Sequence, residues 1–296
     1  MNGRLAQIFA NCRAERRAAL IVYLMAGDPD EERSLEYAKA AISGGADILE
    51  IGVPFSDPIA DGPVIQAAAE RSLAAGGTLV SAIRMADAIS CDQPDRGVVL
   101  MSYCNPLLGW DEDRLKRAFD FTMLWQGNSS LHLGMADVLA DCVDGFLPVD
   151  LDPDDDERML PGLAANGPDR IVLISDSTPR ERKIKLLSRA SGFAYFVAQR
   201  GVTGERQGIP NQLIEQIHEL KSLNSAKLPI AVGFGLSRPE DVHAVAQVAD
   251  GVIVGSALVR MVGEGAAPEA LAARVRELHD ACQHPTSSNS AAKRGK

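Results

Sequence analysis

The chain has 296 residues, 46% of them hydrophobic, enough to bury a large core in one α/β domain or two smaller ones. Aromatics make up only 5%, a mixture that suits helices packed around short strands and argues against a β-sandwich. Lys and Arg number 30 against 40 Asp and Glu, a formal net charge of -10 without a long basic run, which excludes a nucleic-acid partner and leaves any bound anion to local backbone geometry.

The N-terminus, Met1-Asn2-Gly3-Arg4-Leu5, has no apolar signal core after it, and charges at Arg13, Glu15, Arg16 and Arg17 come early. No apolar stretch reaches the roughly 20 residues that span a bilayer, so a cytoplasmic location without membrane contact is expected. The first predicted helix, Leu5 to Arg13, is expected to cover the bottom of the fold. Short apolar runs then recur at Ala19–Met25, Asp47–Val53, Gly97–Tyr103, Gly145–Asp150, Ile171–Ser175, Phe193–Ala198, Leu228–Gly233 and Gly251–Gly255. Most are continuous, as strands covered by helices outside and facing a filled interior should be.

Helices are predicted between them. Leu35, Ala38 and Ile42 make one stripe over Glu31–Ser43, ended by Gly44-Gly45. Pro63 opens the next, ahead of Val64, Ile65, Ala68 and Leu73. Leu79–Ile89 follows the Gly76-Gly77 break, and Pro239 starts another with Ser237 as its N-cap. Alternation of strand and helix predicts a single-domain α/β fold, a (β/α)₈ TIM barrel, with an open doubly wound sheet as the alternative. The expected division is residues 1–265 for the barrel and its N-terminal helix, 266–283 for a C-terminal helix carrying Leu271, Val275 and Leu278, and 284–296 for a disordered tail. The stretch from Phe121 to Gly134 lacks clean periodicity and reads as an inserted loop.

Chemistry in such a fold belongs where strands end. The densest such place is Glu50-Ile51-Gly52-Val53-Pro54-Phe55-Ser56-Asp57-Pro58-Ile59-Ala60-Asp61-Gly62-Pro63. Glu50 lies inside a strand, facing either the interior or the helix layer. There a charge is costly unless it is paired with an Arg or Lys or put to use as an acid-base group with a raised pKa. Asp61 is either a functional carboxylate or the cap of the helix at Pro63. Three glycine-bearing segments follow late strands: Gly201-Val202-Thr203-Gly204, Gly233-Phe234-Gly235-Leu236-Ser237 and Gly255-Ser256. Bare backbone amides at late strand ends can cradle a phosphate. The Gly233–Gly235 stretch is no dinucleotide fingerprint. Five cysteines, Cys12, Cys91, Cys104, Cys142 and Cys282, form no CxxC pair and are expected to be reduced thiols. His132 and His243 read as surface or loop residues, and no metal cluster is expected.

These segments, with Tyr23-Leu24-Met25-Ala26-Gly27-Asp28-Pro29 and Tyr103-Cys104-Asn105-Pro106, resemble the tryptophan synthase alpha chain family over most of the chain, from Ala19 to Val262. PFSDPIADGP is the most specific of them. The resemblance implies a lyase that splits indole-3-glycerol phosphate into indole and glyceraldehyde 3-phosphate at the last stage of L-tryptophan biosynthesis. It implies Glu50 as acid-base residue, Asp61 on the indole N–H and Tyr195 as active-site tyrosine. Gly204, Gly235, Gly255 and Ser256 match phosphate-binding positions, and Tyr23, Met101, Val149, Phe234 and Ile253 line the indole pocket. It further implies no cofactor or metal in this chain, and a beta chain partner carrying pyridoxal phosphate in an alpha2beta2 heterotetramer. Asp57 and Thr203 are expected to meet when a lid closes.

Some features depart from the family pattern. The stretch from Asn105 to Asp150 is about 20 residues longer, Ile174-Ser175-Asp176-Ser177-Thr178 is more polar, and Gln199 stands where arginine is common. The long segment and altered lid keep a second reading open, a non-catalytic or redirected phosphate-binding barrel that binds a partner.

Overall fold

The computed structural model describes residues 3–110, 113, 115, 134–198, 210–233 and 235–284. Its strands are β1 (Ala19–Met25), β2 (Ile48–Gly52), β3 (Gly97–Ser102), β4 (Gly145–Pro148), β5 (Asp169–Arg170), β6 (Val172–Ser175), β7 (Ala194–Val197), β8 (Ile230–Gly233) and β9 (Gly251–Val254). All pair in parallel, in the order β5-β4-β3-β2-β1-β9-β8-β7-β6. The two ends of that order are consecutive stretches of one segment, parted only by Ile171. The sheet therefore returns on itself as a barrel, and each expected strand is in it; the open sheet is excluded.

The alternation along each strand divides two apolar cores. Leu20, Val22, Leu49, Ile51, Val98, Leu100, Val232 and Val254 face the helices. Ala19, Ile21, Ile48, Val99, Leu147, Phe193, Ala231 and Ile253 fill the interior. This double burial explains why the strands read as continuous apolar runs rather than alternating ones. The first helix, α1 (Arg4–Ala14), puts Leu5, Ile8, Phe9 and Cys12 into the interior cluster and plugs the N-terminal face. Glycines at strand starts leave room for it: a Cβ on Gly97 would lie 2.8 Å from Leu5, and one on Gly251 would lie 3.1 Å from Phe9.

The expected single strand over Ile171–Ser175 is split, for a specific reason. After Ile171 N donates to Phe146 O (2.9 Å), the parallel ladder between β4 and β5 calls for an amide at residue 148. Pro148 has none. Arg170 Nη1 donates to Ile171 O instead (2.7 Å). Beyond that point Val172–Ser175 pair with β7 alone, and a cavity of about 480 Å³ lies along the resulting gap, bordered by Val149, Leu173, Thr178 and Arg182.

Helices form where the sequence has capping and breaking signals. α2 (Glu31–Gly44) starts at the Asp30 cap and stops at Gly45, which is left-handed at φ 111°. α3 (Pro63–Ala74) begins at its proline, and α4 (Leu79–Asp92) carries a Thr78–Ser81 capping box. The helix at Pro239–Ala246 corrects one expectation. Arg238, not Ser237, is its N-cap residue, and no side chain caps the amides; the Arg238 guanidinium instead pairs with Asp241. The last helix, Pro268–Ala281, buries Leu271, Val275 and Leu278 and packs on α2 so closely that a Cβ on Gly44 would fall 2.6 Å from Ala272 O. His284 is still fixed, its amide donating to Arg16 O (3.0 Å); residues 285–296, Phe121 and its neighbours to 133 lie outside the described residues.

Candidate active site

The strand β2 and its approach carry two buried carboxylates with opposite circumstances. Asp47, at the N-terminal end, is held by Arg17 through two bonds (2.6 and 2.8 Å), by the Leu20 amide (2.8 Å) and by Arg96 (3.5 Å). Glu50, one strand turn higher, is 1% exposed, and neither of its carboxylate oxygens has a hydrogen-bond partner among the described residues. Its register neighbours are Tyr23 on β1 and Val99 on β3, so it points into the barrel and not to the helix layer. Among the described residues no arginine or lysine pairs with it, which disfavours the reading of a neutralised core glutamate. Burial first, and then the charge of Asp61, push its pKa up to about 8. At neutral pH the group is mostly a protonated acid. A buried carboxyl left without a partner is costly, and it sits at the barrel end where loops build sites.

Asp61 lies in the loop that follows β2. It does not cap α3, because Gly62 is the N-cap residue. Its Oδ2 accepts from Tyr103 Oη (3.1 Å), and the same hydroxyl accepts from Ala60 N (2.9 Å). Gln66 Nε2 donates to Asp61 O (2.9 Å) and Pro58 O (3.3 Å). Burial raises the Asp61 pKa while the Tyr103 bond pulls it down. Tyr23 and Tyr195 are held well above the usual phenol pKa by burial and by the charges of Glu50 and Asp61, so both stay neutral donors. Glu50, Asp61, Tyr23, Tyr103 and Tyr195 therefore share one electrostatic neighbourhood at the mouth of the barrel.

The far side of the mouth is bare. Tyr195 Oη rests against the top of β8, where a Cβ on Gly233 would come within 2.7 Å. Gly235 is left-handed (φ 58°), a turn that leaves the backbone open to close approach. Gly255 is the N-cap residue of the helix Ser256–Gly263 at the end of β9, whose first amides face the mouth. Tyr23 joins the two sides: its Oη covers Gly52 above Glu50, and its Cβ lies 3.1 Å from the position of a Cβ on Gly255. Of the expected pocket residues, Met101 is the register partner of Gly52, Ile253 is an interior residue of β9, and Val149 borders the gap beside β4. Gly204, Thr203, Phe234 and Gln199 lie outside the described residues. The arrangement can protonate a carbon over Glu50, stabilise positive charge at Asp61 and hold an anion on amides.

Two residues here were not singled out from the sequence alone. Tyr103 was visible only as the start of a motif, and Gln66 only as a polar position in an apolar helix. Both act through bonds to the loop after β2, Tyr103 from the end of β3 and Gln66 from the first turn of α3. No group of His, Cys, Asp and Glu that could hold a metal is present among the described residues.

Comparison with known proteins gives a consistent picture. A family model described as tryptophan synthase alpha chain matches residues 9–288. The tryptophan synthase alpha chain of Halorhodospira halophila is 41% identical over 274 residues, 93% of each chain. That of Gluconacetobacter diazotrophicus is 39% identical over 256 residues, 86% of each. A tryptophan synthase structure from Mycobacterium tuberculosis superposes with a TM-score of 0.80 at 33% identity, covering 96% of this chain and 100% of that one.

Proposed function

This chain belongs to the tryptophan synthase alpha chain family, and from that premise and its site we infer the reaction and the residues that perform it. It is a lyase that splits indole-3-glycerol phosphate into indole and glyceraldehyde 3-phosphate. The observation that carries the residue roles is the buried Glu50, without a hydrogen-bond partner among the described residues and with its pKa raised by burial and by the charge of Asp61 on the same side of the mouth.

The chemistry is a retro-aldol cleavage. Glu50 delivers its proton to C3 of the indole, which turns the ring into an iminium cation. Asp61 accepts a hydrogen bond from the indole N–H and stabilises the charge that develops there. Glu50, now a carboxylate, takes the proton of the hydroxyl on the carbon attached to C3. That carbon becomes the aldehyde, and the electrons of the broken C–C bond return to the ring as indole. The phosphate rests on the amides around Gly235, Gly255 and Ser256, joined by Gly204, and contributes remote binding energy that orients the chain. Tyr195, whose hydroxyl rests against Gly233, would contact the glycerol chain. Tyr23, Met101, Val149, Phe234 and Ile253 enclose the ring.

The family membership supports a beta chain partner, the subunit that carries pyridoxal phosphate, in an alpha2beta2 assembly. One surface fits such a partner. Ile59 is 88% exposed and Leu73 39% exposed, and with Phe55 and Pro58 they line a depression of about 290 Å³ directly outside the Asp61 loop. Exposed apolar side chains gathered beside a site favour an interface. Asp57, in the same loop, accepts from Ser56 Oγ (2.5 Å); its meeting with Thr203 on lid closure is expected from the family resemblance alone. Among the described residues no helix is long and apolar enough to cross a membrane.

The test is indole release by the purified protein, alone and with a beta chain. Cleavage that is nearly lost in Glu50→Gln supports the assignment. Normal turnover in that variant removes Glu50 from the mechanism, and an untouched substrate in both settings returns the chain to the reading of a non-catalytic barrel.

A further inference from the structure

We infer that Tyr103 is a positioning residue of this reaction: bonded at once to the Asp61 carboxylate and to the amide before it, it holds that carboxylate over the site as an acceptor for the substrate's indole N–H. The inference rests on the lyase reading above and extends it to a residue that need not touch the ligand.

The geometry is specific. Tyr103 follows directly on β3 and is 3% exposed, and its carbonyl is fixed by Ser102 Oγ (2.7 Å). It thus belongs to the rigid wall, whereas its target belongs to the irregular stretch between β2 and α3. Its ring packs against Phe55 of that stretch, with centroids 5.1 Å apart. Its single hydroxyl accepts from Ala60 N (2.9 Å) and reaches Asp61 Oδ2 (3.1 Å). A phenol has one proton to give. With a lone pair engaged by the Ala60 amide, that proton is directed at the carboxylate, which can take it only as an acceptor. The arrangement therefore favours ionised Asp61, the form that stabilises an iminium.

Among the described residues the titratable groups that face Asp61 are Glu50 from β2, Tyr23 from β1, Tyr103 and Tyr195 from β7. Among these described groups only Tyr103 bonds the Asp61 carboxylate, and its bond opposes the rise in pKa that burial causes. Gln66 is a second clamp of a different kind. It bonds the carbonyls of Asp61 and Pro58 and leaves the carboxylate alone. Position and charge can therefore be separated by experiment.

The experiment compares pH profiles of kcat/KM for indole release from indole-3-glycerol phosphate in the wild type, Tyr103→Phe and Gln66→Leu. Tyr103→Phe keeps the ring and its packing on Phe55 and deletes one oxygen. A hydrogen bond to a charged group is worth about one to two pK units, so the acid limb should move upward by about one unit, with kcat falling more than KM rises. Gln66→Leu should lower kcat/KM and leave the acid limb in place. The double variant Tyr103→Phe with Asp61→Asn should lose little beyond Asp61→Asn alone, because both changes act on one carboxylate. An unmoved acid limb in folded Tyr103→Phe, or losses that multiply in the double variant, overturns the role. A wild type that releases no indole, with or without a beta chain, overturns the lyase reading itself and the inference with it.

Discussion

Two carboxyl groups three positions apart show how the same chemistry serves opposite ends of this barrel. Asp47 is saturated with arginine and amide donors, and Glu50 has none among the described residues. One stabilises; the other carries a cost that the proposed reaction would put to use. Removing a general acid-base group costs roughly 10²- to 10⁴-fold in rate, so Glu50→Gln should lower kcat by that amount, measured as indole release. Because Glu50 must begin protonated and its pKa is pushed up to about 8, kcat/KM should fall above about pH 8. The same shift affects stability. The folded state keeps this proton where the unfolded chain, with an ordinary value near 4.5, has released it. The Glu50 contribution is therefore fully present below about pH 4.5 and is lost as pH rises toward 8. Chemical denaturation at pH 5 and pH 9 should show Glu50→Gln gaining stability relative to the wild type at the higher pH; an equal difference at both pH values would contradict the raised pKa.

At the scale of elements, the strands were legible because most are buried on both faces and so read as unbroken apolar runs. Helix starts at Pro63 and Pro239 and the stop at Gly45 were legible from local backbone chemistry. What was not legible depended on contacts between distant segments. The split of the strand at Ile171 needs Pro148 on a neighbouring strand and the Arg170 side chain together. The cap at Arg238 and the clamp at Tyr103 are likewise tertiary: a sequence shows a hydroxyl or a guanidinium, not what folds back to meet it. Glu50 and Asp61 could be singled out because a charge in an apolar strand and a carboxylate in a Pro- and Gly-bounded loop are local anomalies. The α1 plug offers a test of packing. Phe9 is 3% exposed and packs against Phe193, the rings tilted with centroids 5.6 Å apart. Phe9→Ala should cost about 3–5 kcal/mol in a urea titration while leaving kcat near the wild-type value, because the change lies at the face opposite the site. An unchanged unfolding midpoint would contradict the role of α1 as part of the core.

For the whole molecule, the barrel keeps stability and chemistry at separate ends. Its N-terminal face is closed by a helix and an arginine-carboxylate cluster, and its C-terminal face gathers carboxylates on one side of Tyr23 and bare glycines on the other. The apolar surface at Ile59 and Leu73 adjoins the acid side, so a docked beta chain would stand next to where indole is released. Ile59→Glu should weaken that complex by at least about tenfold, the effect of burying one unpaired charge of about 1.4 kcal/mol or more, read by sedimentation with a beta chain; unchanged association would place the interface elsewhere. The most direct measurement of the central claim is a crystal structure with indole-3-propyl phosphate, which keeps the ring and phosphate and lacks the hydroxyls that react. The account predicts the indole N–H at hydrogen-bond distance from Asp61, about 2.7–3.2 Å, C3 facing Glu50, and the phosphate on the amides at Gly235, Gly255 and Ser256. A phosphate bound away from those amides, or a ring that leaves Glu50 and Asp61 untouched, would contradict it.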